Sequence, residues 1–78
     1  MNEWRDRLTA DLQVCHGKVC IKSTRIPVAV ILDNLASGQS MNEILASYPS
    51  LKLEDLLASL AYAAEIARER IVHLPETA

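Results

Sequence analysis

Among these 78 residues, two cysteines, two histidines and ten acids are the side chains that could do chemistry. Cys15 adjoins His16, and Cys20 follows across a Gly-containing turn. A zinc site would need a fourth ligand from distant His73. Structural zinc sites draw on closely spaced ligand pairs, so this grouping fits poorly. Two small buried thiols are the plainer reading. A cross-strand disulfide is a third, because the cysteines flank a tight turn. Catalysis asks for converging groups, yet the histidines stand near opposite ends and no Gly-rich phosphate loop is present. Glu54 and Asp55 could be taken as a metal pair, but neighbouring helical residues diverge by about 100°. Their place in a first helical turn is explained by the helix dipole. No catalytic residue, metal or cofactor is expected, and the chain is not expected to be an enzyme.

The polar groups with the most suggestive placement are Thr24 and Arg25, just before Ile26 and Pro27. Proline lacks an N–H and holds φ near −65°, so Pro27 suits a helix start, and its ring keeps Ile26 extended. Thr24 and Arg25 therefore lie at a joint between strand-like and helical sequence. They can serve a partner, or only the loop backbone and solvent.

On the N-terminal side of that joint, Leu12 and Val14 alternate with Asp11 and Gln13, and Val19 and Ile21 with Lys18 and Cys20. Period two on both sides of Gly17 predicts a β-hairpin over 12–22, following an arm over 1–11. Trp4 and Leu8 are four apart, so one helical turn could present both to one side. On the C-terminal side the period becomes helical. Val28, Ile31, Leu32 and Leu35 form one stripe, with Gly38 placed to end it. Ser40 and Glu43 match a capping box, followed by Met41, Ile44, Leu45 and Tyr48, with Pro49 beyond. A third helix carries Leu53, Leu56, Leu57, Leu60, Ala64, Ala67 and Ile71 on one face, expected to be its core face. Tyr62 and Ile66 are then left over for a second subunit. The prediction is a mainly α single domain over 1–78: a short N-terminal β-hairpin, then a three-helix region over 27–73.

Half of the residues are hydrophobic, but Phe is absent and Trp occurs once, so the core must be aliphatic. A core this small gains from a partner subunit, and a homodimer is expected. Net charge is −2, with eight basic residues against ten acidic ones. That balance excludes tight non-specific phosphate binding, though a dimer could still present a local basic patch. No apolar run is long enough to span a bilayer and the first residues lack a signal-peptide layout. The expected location is cytoplasmic, with reduced thiols and no membrane contact.

Taken together, Arg7-Leu8, Asp11, Gly17-Lys18, Ile21 and the run Thr24-Arg25-Ile26-Pro27-Val28 form an ordered set. Leu35-Ala36, Gly38, Ser40, Glu43-Ile44-Leu45, Tyr48-Pro49, Leu51, Glu54-Asp55-Leu56 and Tyr62-Ala63-Ala64 extend it. The set resembles the domain of unknown function 433 family (DUF 433), small antitoxin-like proteins. Three positions depart from that pattern. Leu12 replaces a proline, and Lys52 replaces a helix-capping Ser or Thr, worth about 1 kcal/mol unless Ser50 substitutes. Ser23 replaces a glycine, so its φ is negative or it carries strain of about 1 kcal/mol.

The resemblance implies a homeodomain-like helix-turn-helix fold, usually dimeric. It also implies an antitoxin of a toxin–antitoxin pair that neutralises a PIN-like nuclease and binds its own promoter DNA. The alternative is a structural or adaptor dimerisation module without DNA binding. Glu54 and Asp55 would repel phosphates, so the candidate DNA contacts are Lys18, Lys22, Thr24, Arg25 and Lys52. The candidate partner contacts are Trp4, Arg25, Tyr62, Ile66, Ile71 and Leu74.

Overall fold

Sequence period changes at Pro27, and the computed structural model, which describes residues 4–10 and 18–69, changes from strand to helix there. Expectations for the Leu12–Val14 alternation, Cys15, the His16-Gly17 turn, Ile71, His73 and Leu74 fall outside the described residues. The first element is a 3-10 turn, Trp4–Arg7. It leads into β1 (Leu8–Thr9), which pairs antiparallel with β2 (Cys20–Ile21), Leu8 opposite Ile21 and Thr9 opposite Cys20. This pairing begins four residues before the expected Leu12. Two features fix it: Lys22 donates its N–H to the Arg7 carbonyl at 2.8 Å, and Leu8 and Ile21 both pack into the core.

After β2 the chain turns back on itself. Ile21 donates to the Ile26 carbonyl at 3.0 Å, and Thr24 donates to Ile21 at 3.1 Å. Ser23 makes this turn at φ +67°, the left-handed region that glycine occupies without a Cβ clash. Pro27 is extended (φ −66°, ψ 145°), bridges Cys20 and stands as N-cap of α1 (Val28–Ala36). The cap has no side-chain acceptor to offer. Instead Val28 sends its N–H to the Val19 carbonyl at 2.9 Å, so the residue just before β2 supplies the acceptor that a helix start needs.

Gly38 ends α1 at φ +102°. Its N–H reaches the Leu35 carbonyl and the Gln39 N–H reaches Asn34, the paired bonds of a Schellman motif. The capping box of α2 (Met41–Ser47) is complete: Glu43 N–H donates to Ser40 Oγ at 3.1 Å, and Ser40 N–H to Glu43 Oε1 at 2.7 Å. The third helix, α3, spans Leu53–Glu69. Its missing Ser/Thr cap is half replaced by Asp55, whose Oδ2 accepts the Lys52 N–H at 2.9 Å.

The core is aliphatic: Ile21, Val28, Ile31, Ile44, Leu51 and Leu56, ringed by half-buried residues that include Leu8, Leu35, Tyr48 and Tyr62. One expectation is reversed. Of the leucines and alanines assigned to the core face of α3, only Leu56 is buried. The buried face is Asp55, Leu56, Ala58 and Ser59, with Tyr62 half-buried beyond them. Spacing tells which residues share a face, not which face meets the chain's own core. Here the N-terminal turn packs on α3, and Arg7 draws Asp55 inward.

Candidate partner-binding site

Between the N-terminal turn, β1 and α3 lies an open, mainly apolar groove of about 260 Å³. Trp4, Leu8, Val19 and Tyr62 supply its apolar walls, and Arg5 and Thr9 its polar ones. Trp4 of the 3-10 turn and Leu8 of β1 both line the groove, brought there by the turn-to-strand step and not by one continuous helical turn. Trp4 meets Tyr62 edge to face, with ring centroids 6.3 Å apart and planes at 65°. That geometry sets the positive edge of one ring against the negative face of the other. The Arg5 guanidinium carbon lies 4.3 Å from the Trp4 ring centroid, a cation–π contact that holds a positive charge at the groove.

The turn is pinned to α3 by one ion pair. Arg7 Nη1 donates to Asp55 Oδ1 at 2.9 Å, with the Asp55 side chain 8% exposed and Arg7 38% exposed. Asp55 thus serves two donors, this guanidinium and the Lys52 N–H. In the sequence Asp55 stands beside Glu54 as one of two acids that complement the helix dipole. It is turned inward, and of the two acids only Glu54 remains exposed at the start of α3.

The proposed partner contacts divide. Trp4 and Tyr62 are brought together in the groove, whereas Ile66, one turn further along α3, is partly exposed and is not part of the groove wall. Arg25 is exposed on the loop before α1 and is not part of the groove wall. Ile71 and Leu74 lie outside the described residues. Among the candidate DNA contacts, Lys18, Lys22, Arg25 and Lys52 are all exposed. Thr24 is half-buried and engaged by the loop: its hydroxyl donates to the Ile21 carbonyl at 2.7 Å and accepts from the Ile26 N–H at 3.1 Å. The segments bearing Lys22 and Lys52 are tied to each other through Arg7 and Asp55. Arg5, Leu8 and Val19 were missed as site residues. Arg5 could have been found from its place beside the single tryptophan.

Cys20 is fully buried and disulfide-bonded, which sets aside the reduced-thiol reading at that position. Cys15, the other cysteine of the sequence, lies outside the described residues. Among the described residues no helix is long and apolar enough to cross a membrane.

Residues 8–63 match the family described as protein of unknown function (DUF433). A solved structure of a DUF433 member from Anabaena variabilis superposes with a TM-score of 0.76 at 32% sequence identity. The match covers 83% of this chain and 64% of that one, so the chain spans just under two thirds of its structural relative. No relative among curated proteins matches. The family match takes in β1, β2, α1, α2 and most of α3, and the three-helix architecture agrees with it: the chain belongs to the DUF433 family.

Proposed function

We propose that this protein is the antitoxin-like component of a toxin–antitoxin pair, binding and silencing a PIN-like nuclease as a homodimer and occupying its own promoter. The observation that carries the reading is the groove: an apolar recess with an aromatic floor and a guanidinium at its edge. A partner's apolar side chain would enter against Trp4, Leu8 and Tyr62. Burying such an anchor is the usual energetic centre of a protein interface. Arg5 would add charge selectivity. Nucleases that use metal ions carry clustered carboxylates, and a guanidinium pairs with a carboxylate through two parallel hydrogen bonds. Because Arg5 is stacked on Trp4, it loses less side-chain freedom on binding than a solvated arginine would. Promoter binding would rest on exposed Lys22, Arg25 and Lys52, with Asp55 neutralised by Arg7.

Co-expression with the product of the adjacent gene tests this, read by pull-down and by growth. The expected result is a stable complex and rescued growth, both lost in Trp4→Ala and weakened in Arg5→Ala. Equal toxicity with and without this protein, and no complex, would end the antitoxin reading.

A further inference from the structure

The longest apolar stripe in the sequence points away from the core. Leu53, Leu57 and Leu60 are 47%, 42% and 38% exposed, and Ala64 and Ala67 are exposed beyond them. Their steps of four and three residues are the heptad spacing of a helix pair, kept over four intervals and about 21 Å of helix. The opposite face of the same helix is already packed on the core through Leu56, Ala58 and Ser59. A surface helix with a second apolar face on its solvent side is a helix that another helix covers.

Two features of the stripe choose its occupant. The leucines occupy the N-terminal half and the alanines the C-terminal half. Parallel pairing of two copies would stack leucine on leucine at one end and alanine on alanine at the other, splaying the helices. Antiparallel pairing sets Leu57 against the partner's Ala67 and Leu60 against the partner's Ala64. Each of these central layers then holds one large and one small side chain, and the spacing across them stays even. The charges beside the stripe give the same answer. Glu54 and Arg68 flank it at opposite ends, and both are exposed. Antiparallel alignment brings each Glu54 beside the partner's Arg68, twice per dimer. Arg68 bonds Glu65 of its own helix at 2.7 Å, but its side chain is 67% exposed and four of its five N–H donors remain. A parallel pair places no opposite charge beside it.

We infer that α3 pairs antiparallel with α3 of a second copy, through Leu57, Leu60, Ala64 and Ala67, with Glu54 and Arg68 exchanged across the two-fold axis. This deepens the homodimer reading above and rests on it. The surface is isologous, so the contact closes at two copies and leaves the Trp4 groove on another face.

Sedimentation of the full chain across micromolar concentrations tests it, with circular dichroism to confirm that each variant folds. Wild type is expected to sediment at about twice 8.6 kDa. Leu57→Asp/Leu60→Asp, both at exposed positions, should give a folded monomer. Glu54→Arg and Arg68→Glu should each weaken dimerisation about tenfold, as two exposed attractions become repulsions. The double variant Glu54→Arg/Arg68→Glu should recover it. A monomeric wild type overturns dimerisation itself. A dimer indifferent to the two aspartates leaves dimerisation standing and overturns this interface. Loss in both single charge variants without recovery in the double overturns the antiparallel register.

Discussion

Ser23 and Gly38 make the same backbone demand of two different residues. Both sit at positive φ, +67° and +102°, and only one is a glycine. Ser23→Gly is therefore expected to stabilise the protein by about 1 kcal/mol through relief of left-handed strain. Gly38→Ala should destabilise it by about 1 kcal/mol. A Cβ at Gly38 would meet nothing within 4 Å, so that cost is conformational and not steric. Urea unfolding of the two variants checks both signs in one experiment; a stabilising Gly38→Ala or a destabilising Ser23→Gly would contradict the account. The glycine could be read from the sequence, because it follows the last apolar position of a helical stripe. The serine could not. Its side chain is compatible with either sign of φ, and the turn is closed by the Ile21–Ile26 hydrogen bond, which composition does not announce.

Elements whose signals are local were legible, and those set by distant contacts were not. The capping box, the Schellman stop and Pro27 at the start of α1 depend on residues within a few positions of each other. The rotation of α3 depends on Arg7 and Asp55, 48 residues apart. No periodicity in α3 could show that its richest apolar face would lie outward, because spacing tells which residues share a face and not which way that face turns. The groove is half visible for the same reason: the spacing of Trp4 and Leu8 pairs them, but Val19 reads as an ordinary strand residue. Because Asp55 joins the N-terminal turn to α3 and caps the helix as well, Asp55→Ala should cost about 3 kcal/mol. Arg7→Ala should cost less, about 2 kcal/mol, since its side chain is partly solvated. A double-mutant cycle measures the shared part. Additive losses would mean that the pair is incidental and that Asp55 matters only as a cap.

At the scale of the whole molecule, the proposed α3 pairing and the proposed promoter binding would together require a particular DNA geometry. In the antiparallel register the two-fold axis passes near residue 62, and Lys52 lies ten residues away, about 15 Å along the helix. The two Lys52 positions of a dimer are then about 30 Å apart, close to the ~34 Å between successive major-groove faces on one side of B-DNA. The Arg7–Asp55 tie links the segment bearing Lys22, with Arg25 shortly after it, to the segment bearing Lys52, and all three side chains are exposed, so each subunit would offer its own set of cations. Net charge is −2 per chain, so these cations attract phosphate only at short range and binding should be modest and sensitive to salt. The expected operator is an inverted repeat with half-site centres about 10 base pairs apart. Inserting about 5 base pairs between the halves should abolish binding, because it turns one half-site to the opposite side of the duplex. Lys22→Ala/Arg25→Ala should weaken binding and flatten its salt dependence, removing about four phosphate contacts per dimer and a slope of about 3.6 in log K against log salt. Footprinting and salt titration of the upstream sequence measure both. Binding that tolerates the insertion would show that the subunits do not read DNA as an α3-paired dimer, and an unchanged salt slope would remove Lys22 and Arg25 from the interface.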